Sequence, residues 1–351
     1  MSQTAETVER SDAALIGALA EIHYQPLWDR YQRITPLAPN ARDGAFHWPW
    51  REIEKLTGRA GAEVGLEDSE RRAVIMCHPA FEGEIVTTSN LISAFTVLEP
   101  GDRAVPHRHS AAAIRFGVQS EGAATIVNGR RCDMLAGDLI LTPPMCWHGH
   151  INQSDHQTIW FDGANMPLVC GLDANFFEPG SRDDGDFWKV DAGAERAWEF
   201  SGLHPLSDRN ETGDETGGAT PKFHYPGAAT RAALSAMPPD RDGSKLLRYI
   251  NPLTGDAVMA TLDCYARRLG AGMETRPRRA THNTICLVTS GEGRSTIGDE
   301  TIEWSQNDAF SIPHWHWASH RAIGGDADLF VLTDRVVFER LGLLREEFDG
   351  A

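Results

Sequence analysis

Two stretches of this chain carry nearly the same order of residue types, and this repeat limits the fold more than any other feature. The stretch LEPGDRAVPHRHSAAAIRFGVQSEG begins at Leu98 and aligns without a gap on LGAGMETRPRRATHNTICLVTSGEG, which begins at Leu269. One deletion further along restores the match, so that Asp138 pairs with Asp308. Two copies predict a pair of related domains rather than an open array of repeats.

Both copies consist of short β-branched or apolar runs separated by turns that contain Gly, Pro, Asn and Asp. This pattern is typical of a compact all-β sandwich or barrel. We therefore predict a first β domain over residues 87–178 and a second over residues 256–340. Residues 1–86 are predicted as a helical and irregular extension, residues 179–255 as a polar connector and residues 341–351 as a tail.

The charge balance restricts the partners of the protein. The chain has 33 Lys and Arg residues against 50 Asp and Glu residues, a formal net charge of -17. Because such a surface repels phosphate backbones and anionic lipids, we expect no nucleic-acid and no membrane partner. The first residues lack the basic and apolar segments of a secretory signal. The six cysteines are scattered and form no CxxC pair, so we expect reduced thiols in a cytoplasmic protein.

Histidines in the first copy have the spacing of a metal site. His107 and His109 are two residues apart and project from the same face of a strand. His148 comes from a later hairpin, across the predicted barrel. Three neutral imidazoles suit a transition metal and leave coordination positions open. The alternative, a solvated strand end and one core histidine, explains each residue singly but not three together in two motifs delimited by turns.

These two motifs resemble those of the cupin superfamily. The first is G-x5-H-x-H, from Gly101 to His109, and the second runs from Gly137 to Asn152 with Met145 in place of a motif glycine.

Most cupins supply a glutamate four or five residues after the second histidine, but this chain has Ala113 and Ile114 there. A metal held by three neutral ligands keeps its full positive charge. The site is therefore suited to an anionic, chelating substrate.

The surrounding segments extend the resemblance to nearly the whole chain. WPWREI, ERRAVIMCHPAF, ILTPPMCWHGH, TIWFDGANMPLV and RYINPLTG resemble the gentisate 1,2-dioxygenase family, which includes salicylate and 1-hydroxy-2-naphthoate dioxygenases. The resemblance implies an all-β-dominated bicupin with an N-terminal helical extension. It also implies one Fe(II) per chain held by His107, His109 and His148, with dioxygen as co-substrate. The expected reaction opens the ring of a small aromatic hydroxy acid between the carboxyl- and hydroxyl-bearing carbons, and the expected assembly is a homotetramer.

The same resemblance assigns roles to further polar residues. Arg115 matches the pocket arginine, whose fork of donors suits a carboxylate. His150 shares the face of His148 and is expected to bond a phenolate or bound oxygen, with Asp162 orienting it. Arg71 matches a second substrate-binding arginine, and Arg72 is the alternative register.

The strand before the first motif differs from that of gentisate enzymes. They have an aromatic residue and a glutamine where this chain has Ile92 and Thr96. This smaller, less polar wall favours a salicylate with another substituent, such as 5-nitrosalicylate, a halosalicylate or a fused ring, over gentisate.

Two other classes of function remain open from the sequence. A non-catalytic bicupin, acting as a sensor or ligand-binding protein, would bind its ligand through the metal without oxygen uptake. Another metal-cupin enzyme, such as a quercetinase-like dioxygenase or a decarboxylase, is the second. The missing glutamate argues against several of these enzymes, and the gentisate-type segments argue against all of them.

The second copy lacks the ligand residues, since the alignment places Arg278, Ala280 and Ala318 at the three positions. His314, His316 and His320 lie nearby, but no H-x-H strand supplies a third ligand. We therefore interpret them as structural or interface residues.

One metal ion per chain is the resulting prediction. His107→Ala should abolish both metal content and turnover, whereas His316→Ala should leave the metal content near that of the wild type. Elemental analysis of the purified proteins measures this. Two metal ions per chain, halved by His316→Ala, would contradict it.

Overall fold

The structure is a computed structural model that describes residues 12–66, 70–181, 183–188 and 222–350. Part of the predicted connector therefore lies outside the described residues. The chain divides into a unit over Met1–Asn40 and a unit over Ala41–Ala351. The first unit contains helices α1 (Ala13–Glu21) and α2 (Tyr31–Ile34).

The second unit contains two barrels and the segments that join them. It begins with β1 (Phe46–Trp48), α3 (Trp50–Glu63), β2 (Arg72–Ile75), a 3-10 turn (Pro79–Phe81) and β3 (Ile92–Leu98). There follow β4 (His107–His109), β5 (Ala113–Gln119), β6 (Ala123–Val127), β7 (Arg130–Met134), β8 (Leu139–Thr142), β9 (His148–Asn152), β10 (Thr158–Ala164), α4 (Met166–Gly171) and β11 (Phe177–Pro179). Between the barrels lie α5 (Gly185–Trp188), β12 (His224–Tyr225), α6 (Gly227–Ala236) and β13 (Lys245–Arg248). The second barrel contains β14 (Asp263–Leu269), β15 (Arg278–Ala280), β16 (Thr284–Ile297), β17 (Glu300–Ser305), β18 (Ala309–Ile312), β19 (Ala318–Thr333), α7 (Arg335–Arg340) and β20 (Glu346–Phe348).

The first barrel is built from two antiparallel sheets. One has six strands in the order β12-β8-β5-β10-β3-β2, and the other has five in the order β11-β4-β9-β6-β7. Trp160 of the first sheet contacts His150 of the second, with ring centroids 5.2 Å apart. The interior between the sheets therefore contains polar side chains as well as apolar ones.

The second barrel has the same plan with longer strands. β16 pairs with β18 and β19 in its first part and with β17 and β19 in its second part, with register shifts between them. The first part of β16 therefore corresponds to β5 of the first barrel, and its second part corresponds to β6. The strand pairs agree with the alignment of the two copies, because His107 pairs with His148 as Arg278 pairs with Ala318.

The two barrels pack against each other through one shared apolar core. Phe116 of β5 stacks on Phe330 of β19, with centroids 4.2 Å apart and ring planes 25° apart. A β-carbon at Gly163 would lie 2.3 Å from Leu332 Cδ2, so only glycine allows this close approach of β10 to the second barrel. The outer face of the six-stranded sheet is thus as buried as its inner face.

The missing motif glycine has a structural explanation. Met145 has φ of 59°, in the left-handed region that motif glycines adopt without cost, and its counterpart Trp315 has φ of 64°. Both turns therefore have the left-handed backbone conformation of the motif glycine, although the residue there carries a side chain.

The domain boundaries from the sequence stay predictions. Two strands of the predicted extension belong to the barrel sheets. β1 pairs with β18 of the second barrel, and β2 pairs with β3 of the first barrel. Within the described ranges, no helix has the length and apolar character required to cross a membrane.

Candidate metal centre

Three histidines of the first barrel meet on one side of its interior. His107 and His109 lie on β4 and His148 on the adjoining β9, and all three are buried. One ring nitrogen from each lies within 4.8 Å of those of the other two. The alternation of side chains along β4 is the reason, because it turns both of its histidines toward the interior.

Backbone carbonyls fix the orientation of these rings. In each of the three histidines Nδ1 lies 2.8 or 2.9 Å from a carbonyl oxygen two residues away along the chain. A carbonyl oxygen only accepts hydrogen bonds, so Nδ1 carries the proton and Nε2 keeps its lone pair for a metal. Among the described residues, His148 Nε2 has no hydrogen-bond partner.

The protonation states also suit a metal. Burial, and then the positive charge of Arg115, lowers the pKa of His109 to about 3. The same two causes hold the pKa of His148 well below its ordinary value. Both rings are therefore neutral at physiological pH, as ligand histidines must be. Buried neutral imidazoles with convergent lone pairs fit a divalent transition metal.

A buried ion pair lies on the six-stranded sheet that closes the other side of the interior. Arg115 of β5 is 1% exposed, and its Nε lies 3.3 Å from Asp162 Oδ1 on β10. Burial lowers the pKa of Arg115 to about 10, although Asp162 opposes the shift, so the guanidinium stays charged. It also donates a hydrogen bond to Thr142 Oγ1. Asp162 accepts hydrogen bonds from Thr96 Oγ1 and, at 3.1 Å, from Trp160 Nε1.

His150 is oriented by a different residue from the one we expected. Its Nδ1 lies 2.9 Å from Thr125 Oγ1 on β6, while the bonds of Asp162 go to other groups. The expectation that Asp162 orients His150 is therefore wrong, and Asp162 instead holds Arg115. Burial, followed by the charge of Arg115, keeps the pKa of His150 well below its ordinary value. In the part of the chain that the structure describes, His150 Nε2 has no hydrogen-bond partner.

Of the two neighbouring arginines, Arg71 reaches the histidines. Its Nη1 lies 3.3 Å from His107 Nε2. The side chain of Arg72 instead donates to Val64 O at 2.5 Å and forms an ion pair with Asp102. This geometry favours Arg71 over the alternative register.

The wall residues lie together, since Ile92, Ala94 and Thr96 alternate along β3 and share a face. Ala94 pairs with Asp162 across the sheet. The hydroxyl of Thr96 is already engaged by Asp162. The wall therefore presents no unpaired polar side chain.

Four residues of the site were missed in the sequence analysis. Thr125 orients His150, Thr142 and Trp160 complete the network around Arg115 and Asp162, and Glu70 Oε1 lies 2.7 Å from His107 Nδ1. Only Thr125 had a usable signal, because both residues that the alignment of the two copies can set at its position, Ser295 and Thr296, carry a hydroxyl.

Comparison with known proteins agrees with this geometry. A family profile described as Cupin domain matches residues 94–163. Gentisate 1,2-dioxygenase 1 of Aquipseudomonas alcaligenes is 33% identical over 92% of this chain and 92% of its own length. 5-Aminosalicylate 1,2-dioxygenase of a Comamonas species is 32% identical over 95% of this chain and 89% of its own.

This chain belongs to the gentisate 1,2-dioxygenase family. Its fold matches the crystal structure of a salicylate 1,2-dioxygenase variant from Pseudoaminobacter salicylatoxidans in complex with gentisate, with a TM-score of 0.90 and 32% identity, over 100% of this chain and 98% of that one. The family, the bicupin fold and the ring-cleaving dioxygenase activity expected from the sequence are confirmed. The chain is a metal-binding dioxygenase, and the individual site roles stay proposals.

The hydrogen bond between Thr125 and His150 yields a prediction for this dioxygenase. Thr125→Val removes the hydroxyl at nearly constant volume, so His150 should lose its fixed orientation while the three histidines stay in place. Because one neutral hydrogen bond contributes about 0.5–1.5 kcal/mol, we expect kcat to fall about three- to tenfold with unchanged metal content. Steady-state kinetics and elemental analysis measure the two effects.

The exposed Thr296 on β16 offers a matched control. Thr296→Val should change neither kcat nor metal content. A Thr125→Val enzyme with wild-type kcat would show that His150 needs no such support.

Proposed function

We propose that this dioxygenase uses Fe(II) to open the ring of a 2-hydroxybenzoate between the carboxyl- and hydroxyl-bearing carbons. The observation that carries the proposal is the meeting of three buried imidazoles, whose nitrogens lie within 4.8 Å of one another, in the same barrel interior as the buried guanidinium of Arg115 and the buried imidazole of His150. The gentisate, salicylate and aminosalicylate dioxygenases among its relatives act on small aromatic hydroxy acids.

His107, His109 and His148 would hold the iron through Nε2. Bound Fe(II) supplies the electron-transfer chemistry that dioxygen needs to react with an aromatic ring. The three rings themselves contribute no negative charge. Since no carboxylate belongs to the ligand set, the compensating charge has to come with the substrate.

Arg115 and Arg71 are suited to receive the substrate carboxylate. Arg115 is held in one orientation by Thr142 and Asp162, so its entropy cost on binding is low. Asp162 offsets part of its charge, and this allows a guanidinium to persist in a buried position. Arg71 is only half-buried and approaches from the side of His107. A carboxylate that engages either fork would leave the ortho oxygen directed at the histidines.

His150 is suited to hold a proton at the reacting end of the substrate. It is neutral, and its Nε2 has no partner within the described ranges. A neutral imidazole at this position donates a hydrogen bond from Nε2 to a phenolate oxygen when Nδ1 accepts from the Thr125 hydroxyl, or accepts one at Nε2 when the tautomer is reversed. Closing the site to water strengthens this interaction.

The wall of β3 supports a substituted salicylate over gentisate. Ile92 and Ala94 carry no polar group, and the hydroxyl of Thr96 is used by Asp162. A site that bonds a substrate hydroxyl rejects the analogue without it by roughly 10⁴-fold, because its own polar group is left unpaired. A wall without that requirement accepts a nitro, halo or amino group at the 5-position.

We also infer a cytoplasmic homotetramer, on the likeness to the family. Size-exclusion chromatography with light scattering measures the assembly.

The central experiment follows oxygen uptake by enzyme loaded with iron under anaerobic conditions. We expect turnover only of compounds with an ionised carboxylate and an ortho hydroxyl or amino group, because the site is cationic and its ligands are neutral. The panel contains gentisate, salicylate, 5-substituted salicylates and 1-hydroxy-2-naphthoate. Catechol and phenol, which lack the carboxylate, are the controls, and rapid turnover of either would refute the proposal. Binding without oxygen uptake would identify a sensor.

The side chains of Ile92, Ala94 and Thr96 on β3 give a separate prediction about substrate specificity. The wild type should turn over a 5-substituted salicylate at least as well as gentisate. Thr96→Gln introduces the amide expected of gentisate enzymes and should move the ratio of kcat/KM values toward gentisate. Thr296→Gln, on the exposed face of β16, should leave the ratio unchanged. A strong wild-type preference for gentisate that Thr96→Gln does not alter would show that β3 does not set specificity.

A further inference from the structure

The second barrel, which has no metal ligands at the aligned positions, encloses a cavity of about 360 Å³. This volume is in the range of small-molecule sites. Seven arginines line the cavity against three carboxylates, in a chain whose formal net charge is -17. Five of them also form ion pairs: Arg248 with Asp263, Arg267 with Asp242, Arg278 and Arg335 with Glu346, and Arg279 with Glu347. Such a concentration of guanidinium groups in an acidic protein points to an anionic ligand.

Two of these arginines align with residues of the site in the first barrel. Arg278 pairs with Ala318 as His107 pairs with His148, so a guanidinium stands where the first barrel has a ligand histidine. In the same alignment Arg267 of β14 corresponds to Thr96 of the specificity wall. The second barrel therefore has two arginines where the first has a histidine of the metal centre and a threonine of the wall.

One hydrogen-bonded pair is retained in both barrels. His320 Nδ1 lies 2.8 Å from Ser295 Oγ, as His150 Nδ1 lies 2.9 Å from Thr125 Oγ1. Burial, followed by the charge of Arg267, lowers the pKa of His320 to about 3. The second barrel thus keeps a neutral, oriented imidazole on the wall of its cavity.

One buried donor of this cavity lacks a hydrogen-bond acceptor among the described residues. Arg267 is 9% exposed, and among the described residues its Nε has no hydrogen-bond partner. The carboxylate of Asp242 lies 3.4 Å from Arg267 Nη2 and accepts hydrogen bonds from Ser244. His282 Nδ1 lies 2.8 Å from Thr333 Oγ1, whose hydroxyl donates to the Asn283 carbonyl, so Nδ1 carries the ring proton and Nε2, 3.8 Å from Glu346 Oε1, is not a free donor. Because an unsatisfied buried donor is costly, the Arg267 guanidinium is poised for an acceptor that enters from outside.

We propose that the second barrel binds a small organic carboxylate without a metal ion. Arg267 and Arg278 would receive the carboxylate, and the side chains of Cys286, Ile312 and Val331 that line the same cavity would contact an apolar body. Two compounds share this chemistry: the aromatic hydroxy acid that enters the first barrel and the open-chain oxo-dicarboxylate that leaves it. The choice of these two rests on the proposed function, whereas the carboxylate site itself does not.

Equilibrium dialysis of the full-length protein tests the proposal. The anaerobic iron-loaded protein should bind two molecules of salicylate or of the ring-cleavage product per chain, and the chelator-treated protein should still bind one. Salicylamide, which lacks the charge, should not bind to the chelated protein. If salicylate binds more tightly, the ligand of the second barrel is the substrate class of the first barrel. If the ring-cleavage product binds more tightly, the ligand is that product. Failure of the chelated protein to bind either carboxylate would overturn the proposal, even if oxygen uptake confirms the reaction of the first barrel.

Substitutions assign the metal-independent binding to the second barrel. Arg267→Met should weaken it about ten- to a hundredfold, the range for a charge-assisted hydrogen bond to a carboxylate. Arg294→Met, at an exposed arginine of the same barrel, should not change it. If circular dichroism shows that Arg267→Met does not fold, Arg278→Gln carries the same expectation. Unchanged affinity in a folded variant would overturn the proposal.

Discussion

Alternation of side chains along the six-stranded sheet is the constraint on which the rest of the structure depends. On β5, Arg115 points into the first barrel, while Ile114 and Phe116 point into the core that the two barrels share. A slip of one residue would exchange these faces. It would place the guanidinium between the barrels and expose two apolar side chains to the site. The packing of the second barrel therefore holds the residues of the first barrel in register.

The same alternation keeps a positive charge in the interior without adding a negative ligand to the metal site. Asp162 is engaged by Arg115, Thr96 and Trp160, so its carboxylate supports the guanidinium. Each of the three histidines directs Nδ1 at a backbone carbonyl, and His107 Nδ1 also lies 2.7 Å from Glu70 Oε1. This division keeps the Asp162 carboxylate with the guanidinium and away from the three histidines.

The two barrels share one backbone arrangement but differ in the side chains that line their cavities. The turn of Met145 and Trp315 and the pairs formed by His150 and His320 are common to both. The ligand positions differ, and arginine has replaced histidine at one of them. Because the strands align in the same register, each exchanged side chain occupies the corresponding place in the cavity.

The sequence by itself determined the repeat, the barrel type and the histidine spacing, because strand alternation and turn residues are local and follow directly from the order of residues. The family resemblance of the sequence also predicted Arg115, His150 and Asp162 as polar groups of the site. Only the tertiary structure decided that Asp162 holds Arg115 and that Thr125 holds His150. It likewise separated Arg71 from Arg72, and it brought Arg267 and His282 together in the second cavity. Arg115 and Asp162, like Thr125 and His150, lie directly opposite each other on neighbouring strands, and the barrel topology, not a local pattern, decides which strands become neighbours.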